Sequence, residues 1–390
     1  MNDIFSISQQ LINGNSFYNT DKYLKAQSFY DYPILTKATV SPYYNSCTCA
    51  GENYKIFYTS GSSGTPMRIT WRKADYFKSI ADLWRLRAKQ GVTPNDVCLT
   101  CHSGLANKRS LLNEPIYTYG KNLSLSKLHF TTEHINDYIN YINIFSPTWI
   151  YAQPSFVYQL GICLLQYAPD YLIHFKYIEL VGEMVDPLVK KHIQEIFSSA
   201  IVISMYGLQE FNAVMYENAD IMIECSNNAF VEILDDDNHP CEIGQVGNIV
   251  VTGLKNTLLP LIRYNTEDKG KKVIVAGKEG FIITQGRSND AYIYNNQIYD
   301  GSIFFNVITK YNLTHLKQIS KFQVLQKKSL LIFQVFGFDG LPNKTEIEND
   351  INAILYIDYN IHCQIKVVIV DNLNNLIHGE EKTKYFLRLM

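Results

Sequence analysis

The chain has 390 residues, enough for a sizeable core and for more than one domain. Charged residues make up 18%, the formal net charge is −2 and the isoelectric point is about 6.5, so no long-range basic field exists to hold nucleic acid or an anionic membrane. A small phosphate ligand remains open, because a nest of backbone N–H groups binds one without net positive charge.

The opening, MNDIFSISQQLINGN, has neither the basic region nor the apolar core of a signal peptide, and no apolar run reaches the ~18 residues of a membrane span. The expectation is a cytoplasmic protein with no membrane partner. Eight cysteines are sparse for this length and suit a reduced compartment rather than a disulfide scaffold. They cluster as Cys47 with Cys49, and as Cys98 and Cys101 with His102. Neither spacing is that of a zinc finger or ribbon, so small buried thiols are the preferred reading.

In chain order, the first fifty residues mix aromatics with turn residues and predict short helices and loops, with Pro33 restricting the backbone before a short apolar run. Residues 55–71, KIFYTSGSSGTPMRITW, predict two strands around a Gly/Ser/Thr turn. From 128 to 146, Ile135, Tyr138, Ile139 and Ile142 fall at helical spacing, and Pro147 stops the helix. PTWIYAQPS predicts a buried strand, FVYQLGICLLQYA a helix and FKYIELVGE a strand. DPLVKKHIQEIFSS predicts a helix with Asp186 at the N-cap and Pro187 at its first position, and AIVISMYGLQE a strand. This alternation argues for parallel αβ layers, with ligands at the carboxyl ends of the strands. After about residue 228 short alternating strands predict an antiparallel lobe. From about 290 a strand, helix, strand pair, helix and strand, then the polar end HGEEKTKYFLRLM, have the make-up of a small α+β domain.

Gly/Ser runs are usually linkers. YTSGSSGTP joins two strongly β-forming runs, however, and its glycines allow the positive φ and close backbone approach of a phosphate nest. It is neither a Walker A loop, lacking Gly-Lys-Ser/Thr, nor a Gly-x-Gly-x-x-Gly turn. It resembles the phosphate loop T-S-G-[ST]-T-G-x-P of the adenylate-forming superfamily. Four later stretches occur in that family's order: VGEMVDP (181–187) is similar to its Gly-Gly-Glu turn, MYGLQE (205–210) to Y-G-x-T/S-E, RYNTEDKG (263–270) to R-Y-R-T-G-D, and GRSND (286–290) to G-R-x-D-D. The resemblance covers roughly residues 30 to 390. It is greatest to the phenylacetate-coenzyme A ligase and capsular-polysaccharide ligase branch.

The resemblance implies an α/β fold. A large N-terminal adenylate-forming lobe (1–288), of αβ layers with an antiparallel β sub-lobe, is followed by a small mobile α+β C-terminal lid (289–390). It implies an ATP-dependent, AMP-forming ligase that activates a small carboxylic acid as an acyl-adenylate, and the branch resembled points to an aromatic one. The acyl group then passes to coenzyme A, a carrier protein in trans, or an amine. Thr59, Ser60, Gly61, Ser62, Ser63 and Gly64 match the loop around the β- and γ-phosphates. Tyr206, followed by Gly207, matches the aromatic that packs on adenine, and Glu210 the carboxylate that ligates Mg²⁺. Asp268 matches the ribose acceptor and Arg287 a second nucleotide contact. Gly182 and Glu183 match the turn lining adenine and the acyl pocket, and Pro154 and Ser155 a wall of that pocket, which Tyr206 also borders. Lys382 matches best the lysine that neutralises charge between carboxylate and α-phosphate, with Lys384 as its competitor.

The chain departs from the pattern at Asn265 and Glu267, where the family has Arg and Gly, at Asn289, which occupies the hinge aspartate, and at Glu381, which replaces the glycine before Lys382. Cysteines that hold zinc in many phenylacetate-type ligases are missing at the matching places. An adenylyltransferase and a non-catalytic nucleotide-binding homologue are the alternatives. Taken singly, Glu210 also reads as a surface carboxylate, Tyr206 as a core aromatic, and Asp268 with Arg287 as an exposed ion pair.

Overall fold

The computed structural model describes residues 4–59, 67–102, 114–127, 132–185, 187–219, 221–285, 291–295, 297–301, 303–315, 319–337, 341, 343–370 and 386–389. The chain divides into two compact units, Met1–Pro94 with Ile203–Arg287, and Asn95–Val202 with Ser288–Met390.

In the first unit the opening segment forms short helices, α1 (Ile4–Ile12), α2 (Asp21–Leu24) and α3 (Lys37–Asn45). Thr36 caps α3 by accepting from the Thr39 N–H. Strands β1 (Tyr54–Tyr58) and β2 (Arg68–Arg72) pair antiparallel, followed by α4 (Lys73–Ser79) and α5 (Ala81–Lys89). Then come β8 (Ile201–Leu208, most of which lies in this unit), β9 (Asn212–Asn218), β10 (Ile221–Glu224), β11 (Ala229–Leu234), β12 (Val246–Gly253), β13 (Tyr264–Val275) and β14 (Lys278–Gln285). They are ordered β11-β12-β13-β14-β10-β9-β8, with every described pairing among them antiparallel. This is the expected antiparallel lobe, but it includes β8, β9 and β10, ahead of the residue 228 at which it was expected to begin.

Aromatics fill its core, among them Tyr32, Tyr44, Trp71 and Phe211. Two core hydroxyls are matched to backbone: that of Tyr18 donates to the Pro260 carbonyl at 2.8 Å and that of Tyr44 to the Leu259 carbonyl at 2.6 Å. Arg263 and Glu232, 6% and 7% exposed at the side chain, form a two-bonded ion pair at 3.1 and 3.2 Å. Arg263 also donates to the carbonyls of Tyr30 and Tyr32, and its own carbonyl accepts from the Leu35 N–H at 2.8 Å. The opening segment is thereby tied to β13.

In the second unit β3 (Cys98–His102), β4 (Ile116–Tyr119), β5 (Asn122–Ser126), β6 (Trp149–Ala152) and β7 (Tyr177–Leu180) are ordered β7-β6-β3-β5-β4. All neighbours are parallel except the β4–β5 pair. Helices α6 (Thr132–Phe145), α7 (Pro154–Tyr167) and α8 (Pro187–Ile196) fall where apolar spacing predicts them. Ile135, Tyr138 and Ile142 of α6 are all buried. Asp186, expected to cap α8, lies outside the described residues.

The same unit contains the hairpin β15 (Ala291–Tyr294) and β16 (Gln297–Asp300), α9 (Ile303–Thr314), β17 (Ile319–Lys327), β18 (Leu330–Gly337), α10 (Lys344–Tyr359), β19 (Gln364–Ile369) and β20 (Phe386–Leu389). Four of these strands form a sheet in the order β19-β18-β17-β20, giving the expected α+β region. The polar end closes in a strand: β20 runs parallel to β17, with Phe386 opposite Val324. Among the described residues no helix is long and apolar enough to cross a membrane.

Candidate active site

The Gly/Ser loop sits between paired strands, with Tyr58 opposite Arg68. Thr59, 4% exposed, closes the base of the loop: its N–H donates to the Met67 carbonyl at 2.9 Å and its hydroxyl oxygen accepts from the Met67 N–H at 3.0 Å. Ser60, Gly61, Ser62, Ser63 and Gly64 lie outside the described residues. From β2 the Trp71 indole N–H donates to the Gln209 carbonyl at 3.2 Å, linking this hairpin to the turn that carries Glu210.

That turn joins β8 to β9, with a register shift between Tyr206 and Gly207. A Cβ on Gly207 would lie 2.5 Å from the Asn212 carbonyl oxygen, so the sharp return requires glycine. Glu210 is 4% exposed, and the Tyr264 hydroxyl donates to its Oε1 at 3.4 Å. It is no surface carboxylate. A buried oxygen donor fits Mg²⁺, a hard cation that commonly takes one or two protein carboxylates and fills the remaining positions with phosphate and water. Among the described residues no group of three or more metal-ligating side chains occurs.

On β13 the motif RYNTED is a turn held by its own side chains. Asn265 Oδ1 accepts from the Glu267 N–H at 2.8 Å, and the Thr266 hydroxyl accepts from the Asp268 N–H at 3.2 Å while donating to the Ile249 carbonyl. Glu267, exposed, adopts φ +67°, which explains the glycine in the resembled motif: the turn needs the left-handed region, and here a glutamate occupies it. The turn presents Asp268, whose Oδ2 accepts from the Tyr206 hydroxyl at 2.7 Å. Two residues matched to adenine and ribose roles are thus in direct contact.

The second unit brings four more of the matched residues, Pro154, Ser155, Gly182 and Glu183, to the carboxyl ends of β6 and β7. Gly182, with φ +77°, turns the chain after β7. Pro154 opens α7 at its first position, where a missing N–H loses no helical bond. The N–H of buried Ser155 donates to Glu183 Oε2 at 3.4 Å. Arg287, Asn289, Lys382 and Lys384 lie outside the described residues.

Three residues here carry no sequence signal. Gln153 precedes α7, and its Oε1 accepts from Lys127 Nζ at 2.5 Å; Lys127 follows β5, and its carbonyl accepts from Lys321 Nζ. Burial first, and then the neighbouring Lys127 charge, brings the Lys321 ammonium down to about 7. Burial pushes the Cys101 thiol up, and His102 bonds through its ring to Ser124 Oγ and the Glu114 carbonyl. These two contacts hold the His102 ring in place.

The first unit carries a strand-flanked Gly/Ser loop and a paired Tyr206 and Asp268, and the second an open αβ sheet, which are the features expected of an adenylate-forming enzyme. Residues 10–258 match the AMP-binding enzyme family, and the chain belongs to it. Its structure is similar to that of 2-hydroxyisobutyryl-CoA ligase in the postadenylation state in complex with R3-HIB-AMP, with a TM-score of 0.71 and 17% identity over 98% of this chain and 87% of that one. It is similar to the anthranilate CoA ligase in complex with anthranoyl-AMP, with a TM-score of 0.58 and 15% identity over 84% of this chain and 65% of that one. The same coverage and identity, with a TM-score of 0.57, relate it to an A-PCP protein complexed with phenylalanyl-adenylate. At these identities the likeness is one of fold. No curated protein matches the chain.

Proposed function

We propose that this protein is an ATP-dependent, AMP-forming ligase of a small carboxylic acid. What supports this reading most is the Tyr206–Asp268 hydrogen bond, because it joins residues of two separate family motifs in one described contact. A carboxylate is a poor acyl donor, since its leaving group would be oxide. Attack of the carboxylate on the α-phosphate of ATP, with departure of pyrophosphate, gives a mixed anhydride whose AMP a thiol or amine then displaces.

In this scheme Tyr206 packs on adenine and Asp268 accepts from the ribose hydroxyls, with Arg287 as a second nucleotide contact. The loop from Thr59 to Gly64 offers backbone N–H and hydroxyl donors to the β- and γ-phosphates. Gly182 and Glu183 line the nucleotide and acyl sites, and Pro154 and Ser155 form a wall of the acyl pocket. Glu210 holds Mg²⁺, which when bound spreads the charge of the triphosphate. Lys382, or Lys384, meets the charge developing between carboxylate and α-phosphate. Residues 289–390 act as a lid between half-reactions. The branch resembled favours an aromatic acid, and the fold neighbours favour a thiol acceptor, coenzyme A or a carrier protein.

The test is ATP–pyrophosphate exchange against aryl, fatty and amino acids, with intact-mass detection of the acyl-adenylate. Exchange with one acid establishes the activity and names the substrate. ATP binding by calorimetry with no exchange for any acid points instead to a non-catalytic nucleotide-binding protein.

A further inference from the structure

Gln153 stands between the end of β6 and the start of α7, immediately before Pro154 and Ser155, with extended backbone at φ −68° and ψ 142°. Its carbonyl accepts from the Val157 N–H at 3.0 Å, so the first turn of the helix fixes its main chain. The half-buried side chain lies over the turn that follows β7: a Cβ built on Gly182 would be 3.6 Å from Gln153 Cγ and 3.7 Å from its Nε2. The amide nitrogen is therefore placed at the turn that the ligase reading assigns to the nucleotide and acyl sites.

The direction of that amide follows from its neighbour. An ammonium can only donate, so the atom that Lys127 Nζ meets at 2.5 Å is the amide oxygen, and the NH2 group is left on the Gly182 side. Lys127 is itself held at its main chain: its N–H donates to the His102 carbonyl at 2.9 Å, and its carbonyl accepts from Lys321 Nζ. Its side chain is buried. A buried ammonium on a main chain anchored at both ends has little freedom left to lose, and it selects one of the two orientations the amide can take.

We propose that Gln153 is a specificity-determining residue whose amide NH2 donates to an oxygen on the acyl part of the acid, so that the acid activated carries a hydroxyl, alkoxy or oxo group besides its carboxylate. Lys127 acts through Gln153 as a positioning residue. This deepens the acid-ligase reading and rests on it. A donor covered by an apolar substituent loses its bond to water without replacement, whereas an oxygen at that place restores the bond. The cost therefore falls on the acid that lacks the oxygen.

The experiment is ATP–pyrophosphate exchange by the full chain with pairs of acids of one shape, one member carrying oxygen where the other carries carbon. The aryl pairs are ring-hydroxy with ring-methyl, and ring-methoxy with ring-ethyl, benzoates and phenylacetates. The aliphatic pairs are lactate with isobutyrate and 3-hydroxybutanoate with 3-methylbutanoate. The expected result is an oxygenated acid with a kcat/KM roughly tenfold or more above that of its partner, the worth of one hydrogen bond. Gln153→Leu removes that preference. Gln153→Glu, which keeps an oxygen for Lys127 and has no NH2, removes it for methoxy acids and spares it for hydroxy acids, whose hydroxyl can donate. Lys127→Met lets the amide turn over and lowers the preference, and Lys127→Arg, still a donor, restores it. Thermal unfolding checks that each variant is folded; should Lys127→Met fail to fold, the two Gln153 variants decide. Equal kcat/KM within every pair, a preference that survives Gln153→Leu, or an equal loss for both members in that variant overturns the inference and leaves the ligase standing. A preference untouched by Lys127→Met strikes out the positioning role. Exchange with no acid of either kind overturns the ligase reading, and the inference with it.

Discussion

The Tyr206 hydroxyl and the Asp268 carboxylate meet at 2.7 Å across a sequence separation of 62 residues, joining β8 to the turn of β13. If the pair positions the nucleotide, Asp268→Ala weakens ATP binding by ~1–3 kcal/mol, roughly five- to 150-fold. Tyr206→Phe, which keeps the ring and loses the hydroxyl, weakens it less. A double-mutant cycle by calorimetry gives a coupling energy between them; strict additivity would mean that the bond does not serve binding.

The ion pair of Arg263 and Glu232 is buried at both ends, and Arg263 also holds two backbone carbonyls of the opening segment. Removing one partner strands the other charge, so Arg263→Met or Glu232→Leu lowers stability by ~3–5 kcal/mol in urea unfolding. The double replacement destabilises by less than the sum of the two.

Glu267 holds a left-handed backbone at φ +67°. Glu267→Gly relieves ~1 kcal/mol of that strain, offset in part by the extra freedom of glycine in the unfolded chain, and removes a negative charge from the turn proposed to meet the nucleotide. The expected outcome is unchanged or slightly raised thermal stability together with tighter ATP binding.

Stability has a pH signature with two parts. Lys321 titrates at about 7 in the folded protein and near 10.5 in the unfolded chain. Between those values the unfolded state carries more protons, so this group makes stability rise with pH. Burial raises the phenols of Tyr23, Tyr171 and Tyr311 to about 12, and those of Tyr18 and Tyr138 further. Above pH 10 the unfolded chain sheds phenol protons that the folded state keeps, and stability falls. Urea unfolding from pH 7 to 11 checks both parts: Lys321→Met flattens the rise and leaves the alkaline fall.

Elements whose apolar residues repeat at helical spacing were legible in the sequence, as α6 shows with Ile135, Tyr138 and Ile142. Strand β20 was not, because FLRL carries no alternation strong enough to outweigh its polar flank; it becomes a strand by pairing with β17. Motif order singled out Tyr206, Glu210 and Asp268 as candidates, but not that Glu210 is buried or that the other two touch. Glu267 was visible as a departure, and its physical reason lay in a dihedral angle. Lys321 had no sequence signal at all, since a lysine in a β-forming run reads as an edge charge facing water.

The indole of Trp71, bonded to the Gln209 carbonyl, gives the protein a native optical probe. With three tryptophans in the chain, replacing Trp84 and Trp149 by Phe leaves a single tryptophan, excited selectively at its red edge, whose ring is buried in the core and whose N–H reports on the backbone beside Glu210. A change in that carbonyl's orientation alters the polarity around the indole and hence its emission. The hairpin that frames the Gly/Ser loop and the turn that carries the carboxylate can therefore be followed as one mechanical element, in real time and without a label.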